Sequence, residues 1–164
     1  MIVLRSILFN ALFYLVLLAY LIVAMPTLVM PRRAILRLAQ HWGGVNLALL
    51  RIVCGITVEW RGLEKIPRGA VLVASKHQSI WETFALLTVF RDPTYILKRE
   101  LLWIPLYGWC ARRAGMIPVD RGGGKAVLVA MSARAREALL AGRQIVVFPE
   151  GTRRPPAGAC PQER

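Results

Sequence analysis

The sequence predicts an α/β fold: a mixed, mostly parallel sheet flanked by helices, preceded by an N-terminal membrane-anchoring helical segment. Three observations carry this. An uncharged apolar run opens the chain, short β-branched runs alternate with helical stretches after residue 54, and polar, glycine-bearing loops follow the apolar runs. With 164 residues, a single α/β body behind an anchor is expected. The expected division is 1–53 anchor plus amphipathic helix, 54–154 α/β domain, and 155–164 disordered proline-rich tail.

From Ser6 to Met25 there is no charge, and Asn10 is the one strongly polar side chain. About 20 residues of helix rise roughly 30 Å, enough to cross a hydrocarbon core. A cleaved signal peptide would have a shorter core and an A-x-A-like site, which Ala24-Met25-Pro26 does not resemble. Arg32, Arg33 and Arg37 follow the run, against Arg5 and the amino terminus before it, so the positive-inside bias favours a cytoplasmic body on the membrane.

Between Pro31 and Arg51, apolar residues recur at three- and four-residue steps among arginines, predicting an amphipathic helix. After Gly43-Gly44 comes a second apolar stretch, Val45 to Val53. Together they form a second helix, either lying on or dipping into the bilayer face or packed as a core helix of the body.

Strands are expected at Thr57–Trp60 and Val71–Ala74, with a turn through Pro67-Arg68-Gly69 between them. A helix follows over Ser79–Phe90, then a strand at Tyr95–Lys98 and a helix or loop carrying Trp103 and Trp109. Gly115–Val119 reads as a short strand whose Pro118 places it at an edge or bulge. Lys125–Leu140 is a helix ending at Gly142, and Gln144–Phe148 a buried strand.

Composition narrows the function. Twenty-two basic residues against nine acidic ones give a net charge of +13, suited to anionic lipid surfaces and anionic substrates. Nucleic acid is disfavoured, because no zinc-finger spacing, basic heptad or aromatic RNA-binding motif accompanies the charge. Cys54, Cys110 and Cys160 lack C-x-x-C spacing, so reduced thiols are expected rather than a disulfide framework or zinc site. Gly122-Gly123-Gly124-Lys125 is followed by Ala126 and is not a nucleotide-binding P-loop.

Two segments are rich in chemistry. His77 lies where an apolar strand becomes a loop, with Glu82 five residues on. On one helix the two would point about 140° apart; with His77 on the loop, the carboxylate in the first helical turn reaches back to the ring. A carboxylate on one ring nitrogen fixes the tautomer and leaves the other nitrogen to accept a proton from an alcohol. The competing role for Glu82 is structural, since Ser79-Ile80-Trp81-Glu82 is also a helix capping box. The second segment, Phe148-Pro149-Glu150-Gly151-Thr152-Arg153-Arg154, leaves a buried strand and presents guanidinium forks of the kind that hold phosphate. An exposed solvated turn is the plainer reading. Gly115 to Arg121 likewise ends a strand on an arginine.

Taken in order, H-x-x-x-x-E, G-x-x-x-x-x-R and F-P-E-G-T-R behind an apolar N-terminus resemble the glycerolipid acyltransferases, in particular the bacterial 1-acyl-glycerol-3-phosphate acyltransferases. The resemblance spans Gly55 to Arg154. It implies His77 as general base for the hydroxyl of lysophosphatidic acid and Glu82 as its orienter. It implies Arg121 with Glu150, Gly151, Thr152 and Arg153 as the holder of the acceptor phosphate. Acyl-CoA or acyl-carrier protein would be the donor, and no metal, acyl-enzyme or other cofactor is implied. Glycerol 3-phosphate and a lyso-ornithine lipid are the alternative acceptors, and an inactive basic membrane-bound fragment the alternative of another class. Two departures stand out. Glu82 replaces the commoner aspartate, and the family's further strand and proline-containing motif past the arginine loop are missing before Arg164, which implies C-terminal truncation.

Overall fold

The structure, a computed structural model, describes residues 2–120, 122 and 124–153. Arg121, Gly123 and the 154–164 segment, including Cys160 and the expected tail, lie outside the described residues.

Two antiparallel helices open the chain. Helix α1 (Ile2–Val23) is long and apolar enough to cross a membrane. A 3-10 turn, Met25–Leu28, leads to α2 (Arg32–Leu49), whose last turn widens into a π-helical turn, Leu50–Cys54. The pair touches along its length. Tyr20 Oη lies 2.5 Å from His41 Nδ1, and Phe13 is buried against Trp42 of α2 and Phe84 further on, with ring centroids 5.7 and 6.0 Å away. Burying one such ring contributes about 1.5–3 kcal/mol.

Helix α2 runs through both Gly43 and Gly44. Helix propensity alone disfavours this, but packing decides it. A Cβ on Gly43 would stand 2.6 Å from the carbonyl oxygen of Phe84, so only glycine lets the two backbones approach.

After residue 54 the strands and helices alternate: β1 (Val71–Ala74), α3 (Trp81–Val89), β2 (Pro93–Lys98), α4 (Tyr107–Arg113), β3 (Ile117–Val119), α5 (Gly124–Leu140) and β4 (Gln144–Val147). The strand order is β1-β4-β2-β3, and all three pairings are parallel. Ala74 lies beside Val147 and Lys98 beside Val119, so the carboxyl ends of the strands share one edge of the sheet. Pro118 falls on the edge strand β3, where its missing N–H costs no ladder bond. The antiparallel component of a mixed sheet is absent among the described residues.

The expected strand at Thr57–Trp60 is not formed either. A strand needs a partner's amides and carbonyls. These residues have other company: Trp60 stacks on Trp81 at 6.4 Å, and Glu59 pairs with Arg61 at 2.8 Å.

Alternation along the strands separates two apolar layers. Tyr95 and Val146 face α2 and α3 with Leu87 and Phe90, whereas Ile117 and Ile145 face α5 with Ala138. Helix α5 ends in a Schellman motif: Gly142, at φ 78°, donates to Leu139 O at 2.9 Å, and Arg143 to Ala138 O at 3.0 Å.

At the amino ends of the strands, charge fastens the hairpin to the sheet. Arg32 of α2 grips Asp92 through both carboxylate oxygens, at 3.0 and 2.5 Å, and donates to Ala114 O at 2.8 Å. Arg143 approaches the same carboxylate at 3.9 Å and donates to Gly115 O at 2.8 Å. Burial and the nearby Arg32 lower the Arg143 pKa, opposed by Asp92. Asp92→Ala would leave two partly buried guanidinium groups facing each other. The expected cost is about 1–3 kcal/mol, read as a lowered denaturation midpoint.

Candidate active site

The structure places His77 three residues beyond β1, on a loop that lies beside the exit of β4 because Ala74 and Val147 are in register. Helix α3 starts a few residues later and brings Glu82 back to the ring. His77 Nδ1 and Glu82 Oε1 are 2.7 Å apart. The same oxygen accepts the N–H groups of Gln78 and Ser79 at 2.7 and 2.9 Å, and Oε2 accepts the Ser79 hydroxyl at 3.1 Å. Ser79 Oγ in turn accepts the Trp81 N–H at 3.0 Å. The capping role and the histidine contact are therefore not rivals. One carboxylate does both, and the cap aims it at the ring.

Burial pushes the Glu82 carboxyl up, but its own backbone N–H, those of Ser79 and Gln78 and the His77 ring together outweigh it. The net shift is below the ordinary value of 4.5, so the group is a carboxylate at neutral pH. A carboxylate only accepts, and so Nδ1 must donate. Nε2 is left unprotonated as the free acceptor in the neutral ring. The His77 side chain retains 18% of its exposure against 9% for Glu82, which leaves the imidazole reachable and its partner shielded.

On its other face the imidazole stacks on Phe148 at 4.3 Å and 23°. Phe148 begins the loop after β4, and there Gly151, at φ 64°, donates to Phe148 O at 3.0 Å and closes a tight turn. The turn carries Glu150 Oε2 to within 3.4 Å of the His77 backbone N–H. His77, Glu82 and Glu150 are thus brought together, while Thr152 and Arg153 stand exposed at the end of the same loop. Arg121 follows β3, whose last residue Val119 is two strands from β4 in the sheet order, and itself lies outside the described residues. Lys98 and Arg99 leave β2 between them, Lys98 paired with Glu100 at 3.1 Å and Arg99 with Asp120 at 3.8 Å.

Sequence reasoning missed the ring-stacking role of Phe148 and the backbone tether from His77 to Glu150. An aromatic at the exit of a buried strand was the available signal for the first; strand order, which spacing does not reveal, governs the second. Among the described residues no group of three or more His, Cys, Asp or Glu side chains is arranged to hold a metal ion.

A proton acceptor fixed by a carboxylate and open on one side, at the carboxyl edge of a parallel sheet, is equipped to deprotonate an alcohol. Comparison with known proteins gives the family. Residues 57–162 match the family model described as Acyltransferase. The chain is 41% identical over 128 residues to a 1-acyl-sn-glycerol-3-phosphate acyltransferase of Pseudomonas aeruginosa, covering 77% of this chain and 50% of that protein. It is 34% identical over 116 residues to a lyso-ornithine lipid O-acyltransferase of the same organism, covering 71% and 42%. The crystal structure of the 1-acyl-sn-glycerophosphate acyltransferase PlsC from Thermotoga maritima superposes with a TM-score of 0.72 at 26% identity, covering 95% of this chain and 65% of that one. The chain spans about half the length of the curated relatives it matches. With its family model matched over more than half its length and its fold shared with PlsC, this chain belongs to the acyltransferase family.

Proposed function

We propose that the chain transfers a fatty acyl group from acyl-CoA or acyl-carrier protein to the sn-2 hydroxyl of lysophosphatidic acid, forming phosphatidic acid for phospholipid synthesis. The observation that carries this is the His77–Glu82 contact at 2.7 Å, which leaves one imidazole nitrogen as a base beside the arginine loop. Nε2 of His77 takes the hydroxyl proton while the hydroxyl oxygen attacks the thioester carbonyl. The tetrahedral intermediate collapses, the carbon–sulfur bond breaks, and the departing thiolate recovers the proton from the imidazolium. Glu82 stabilises the transient positive ring throughout. Oxygen–acyl bond formation replaces the sulfur–acyl bond, so no redox partner or metal is required to balance the step.

Arg153, with Gly151 and Thr152 on the loop after β4, and Arg121 after β3 supply the site for the acceptor phosphate. Glu150, an acceptor itself, holds the arginine loop against the His77 backbone. We place the body on the cytoplasmic face of a bacterial inner membrane, in keeping with Arg32, Arg33 and Arg37 after the apolar helix. A lyso-ornithine lipid is the second acceptor to weigh, because one of the relatives above acts under that name.

The test is thiol release from acyl-CoA or acyl-carrier protein, with lysophosphatidic acid or lyso-ornithine lipid as acceptor. Release dependent on lysophosphatidic acid supports the proposal; release with lyso-ornithine lipid alone, or with neither, overturns it. Arg153→Gln is expected to raise the KM for lysophosphatidic acid by about ten- to hundredfold, the loss of one charge-assisted phosphate contact, while kcat changes little. An unchanged KM would remove Arg153 from the phosphate site.

A further inference from the structure

Two tryptophans stand in solvent at one corner of the molecule and serve neither the interior nor the His77 site. Trp103 is 68% exposed and Trp109 51%, with Ile104 exposed beside them. The corner is tightly built. From the carboxyl end of β2 the chain enters a 3-10 turn, Arg99–Trp103, and doubles back into α4. Gly108 lies on the Leu102 backbone so closely that a Cβ would stand 2.1 Å from its carbonyl oxygen. Between them Leu106 takes φ 64° and ψ −56°, and Tyr107 N–H donates to Pro105 O at 2.7 Å, a strained γ-turn that a β-carbon-bearing residue seldom adopts. The strained turn joins the two segments that carry Trp103 and Trp109, both exposed.

Cations flank the rings. Lys98 and Arg99 stand at the start of the turn, and Arg112 is exposed one helical turn from Trp109. The acidic neighbours Glu100 and Asp120 are paired with Lys98 and Arg99, which leaves Arg112 in excess. Indole rings bordered by basic side chains suit the headgroup layer of an anionic bilayer, where the ring body is shielded and the N–H stays wet.

The corner also continues the apolar N-terminal helix. On its inner side α4 packs through Cys110 and Ala114 against Ala24 and the partly buried Leu28, at the end of α1. Arg113 donates to the Met30 carbonyl, fixing that contact. Between the two, Val29 is 90% exposed.

We propose that the Trp103–Trp109 corner is a second membrane-docking surface, seated in the headgroup layer of an anionic phospholipid bilayer beside the end of α1. The proposal rests on exposure, charge and continuity with α1, and its test reads seating rather than turnover.

The full chain is reconstituted into vesicles of equal parts phosphatidylcholine and phosphatidylglycerol, with or without bromine on the acyl chains near the headgroup. Bromine quenches only the indoles it reaches. Trp103→Phe/Trp109→Phe, which keeps aromatic bulk at both positions, is expected to lower the bromine-quenched part of the emission about twofold or more. It is also expected to leave the circular dichroism unchanged. Quenching in pure phosphatidylcholine should be weaker than in the mixture. An equal quenched signal in wild type and double variant would overturn the proposal, since the rings would then be covered by protein or free in water. Equal quenching in the two lipid compositions would overturn the anionic preference.

Discussion

His77→Ala is expected to lower acceptor-dependent thiol release by about 10²–10⁴-fold, the usual range for a lost general base. The loss should fall on kcat, because the ring is reachable from one side and makes no described contact that would hold the acceptor in the ground state. The fold should survive. Glu82 keeps the Gln78 and Ser79 amides and the Ser79 hydroxyl as partners after the imidazole is gone, and Phe148 loses only one stacking neighbour. Steady-state kinetics beside a thermal melt checks both halves. A variant with intact folding and unchanged turnover would end the assignment of His77 as base.

Glu82 carries a larger combined effect, because it belongs to the site and to the helix start together. Glu82→Ala is expected to cost about 2–4 kcal/mol of stability, since several backbone and side-chain donors lose their acceptor at once. Turnover should drop by a factor approaching that of His77→Ala, because the ring loses the partner that selects its tautomer. Glu82→Gln separates the roles: the amide oxygen still accepts the cap bonds, but the charge that stabilises the imidazolium is gone. The folded carboxyl titrates below its ordinary value of 4.5. Its stabilising contribution is therefore present above about pH 4.5 and lost as pH falls through the lower, folded value. The gap in melting temperature between wild type and Glu82→Gln should narrow over that acidic window. A gap independent of pH would mean that the carboxylate charge contributes nothing to the cap.

The elements that the sequence revealed most clearly are those whose local signals and packing agree. Val71–Ala74 and Gln144–Val147 are apolar runs bounded by turn residues, and Gly142 announces the end of α5 because only a left-handed residue closes its Schellman motif. The reason for Gly43 was not legible: glycine lowers helix propensity locally, while the need is set by the Phe84 carbonyl of another helix. Thr57–Trp60 has strand composition but no neighbouring strand, which no local pattern reports. At the site, His77 and Glu82 were legible from spacing. The approach of Glu150 to the His77 amide depends on β4 inserting beside β1, a matter of strand order. Phe148 was legible as part of a motif but not as a stacking partner, since a ring-on-ring contact across two loops leaves no periodic trace.

The first helix is more than a tether. Phe13 fills the space between Trp42 and Phe84, and α2 in turn covers Leu87 and Phe90. Trimming the hairpin to obtain a water-soluble catalytic piece would strip the shielding from α3 and strand apolar rings in water at the root of the His77 loop. One helix carries both an exposed apolar surface and the Phe13 side chain that completes the interior. Detergents that pry the hairpin loose should inactivate by unfolding, and any evolutionary drift towards solubility must rebuild the interior first.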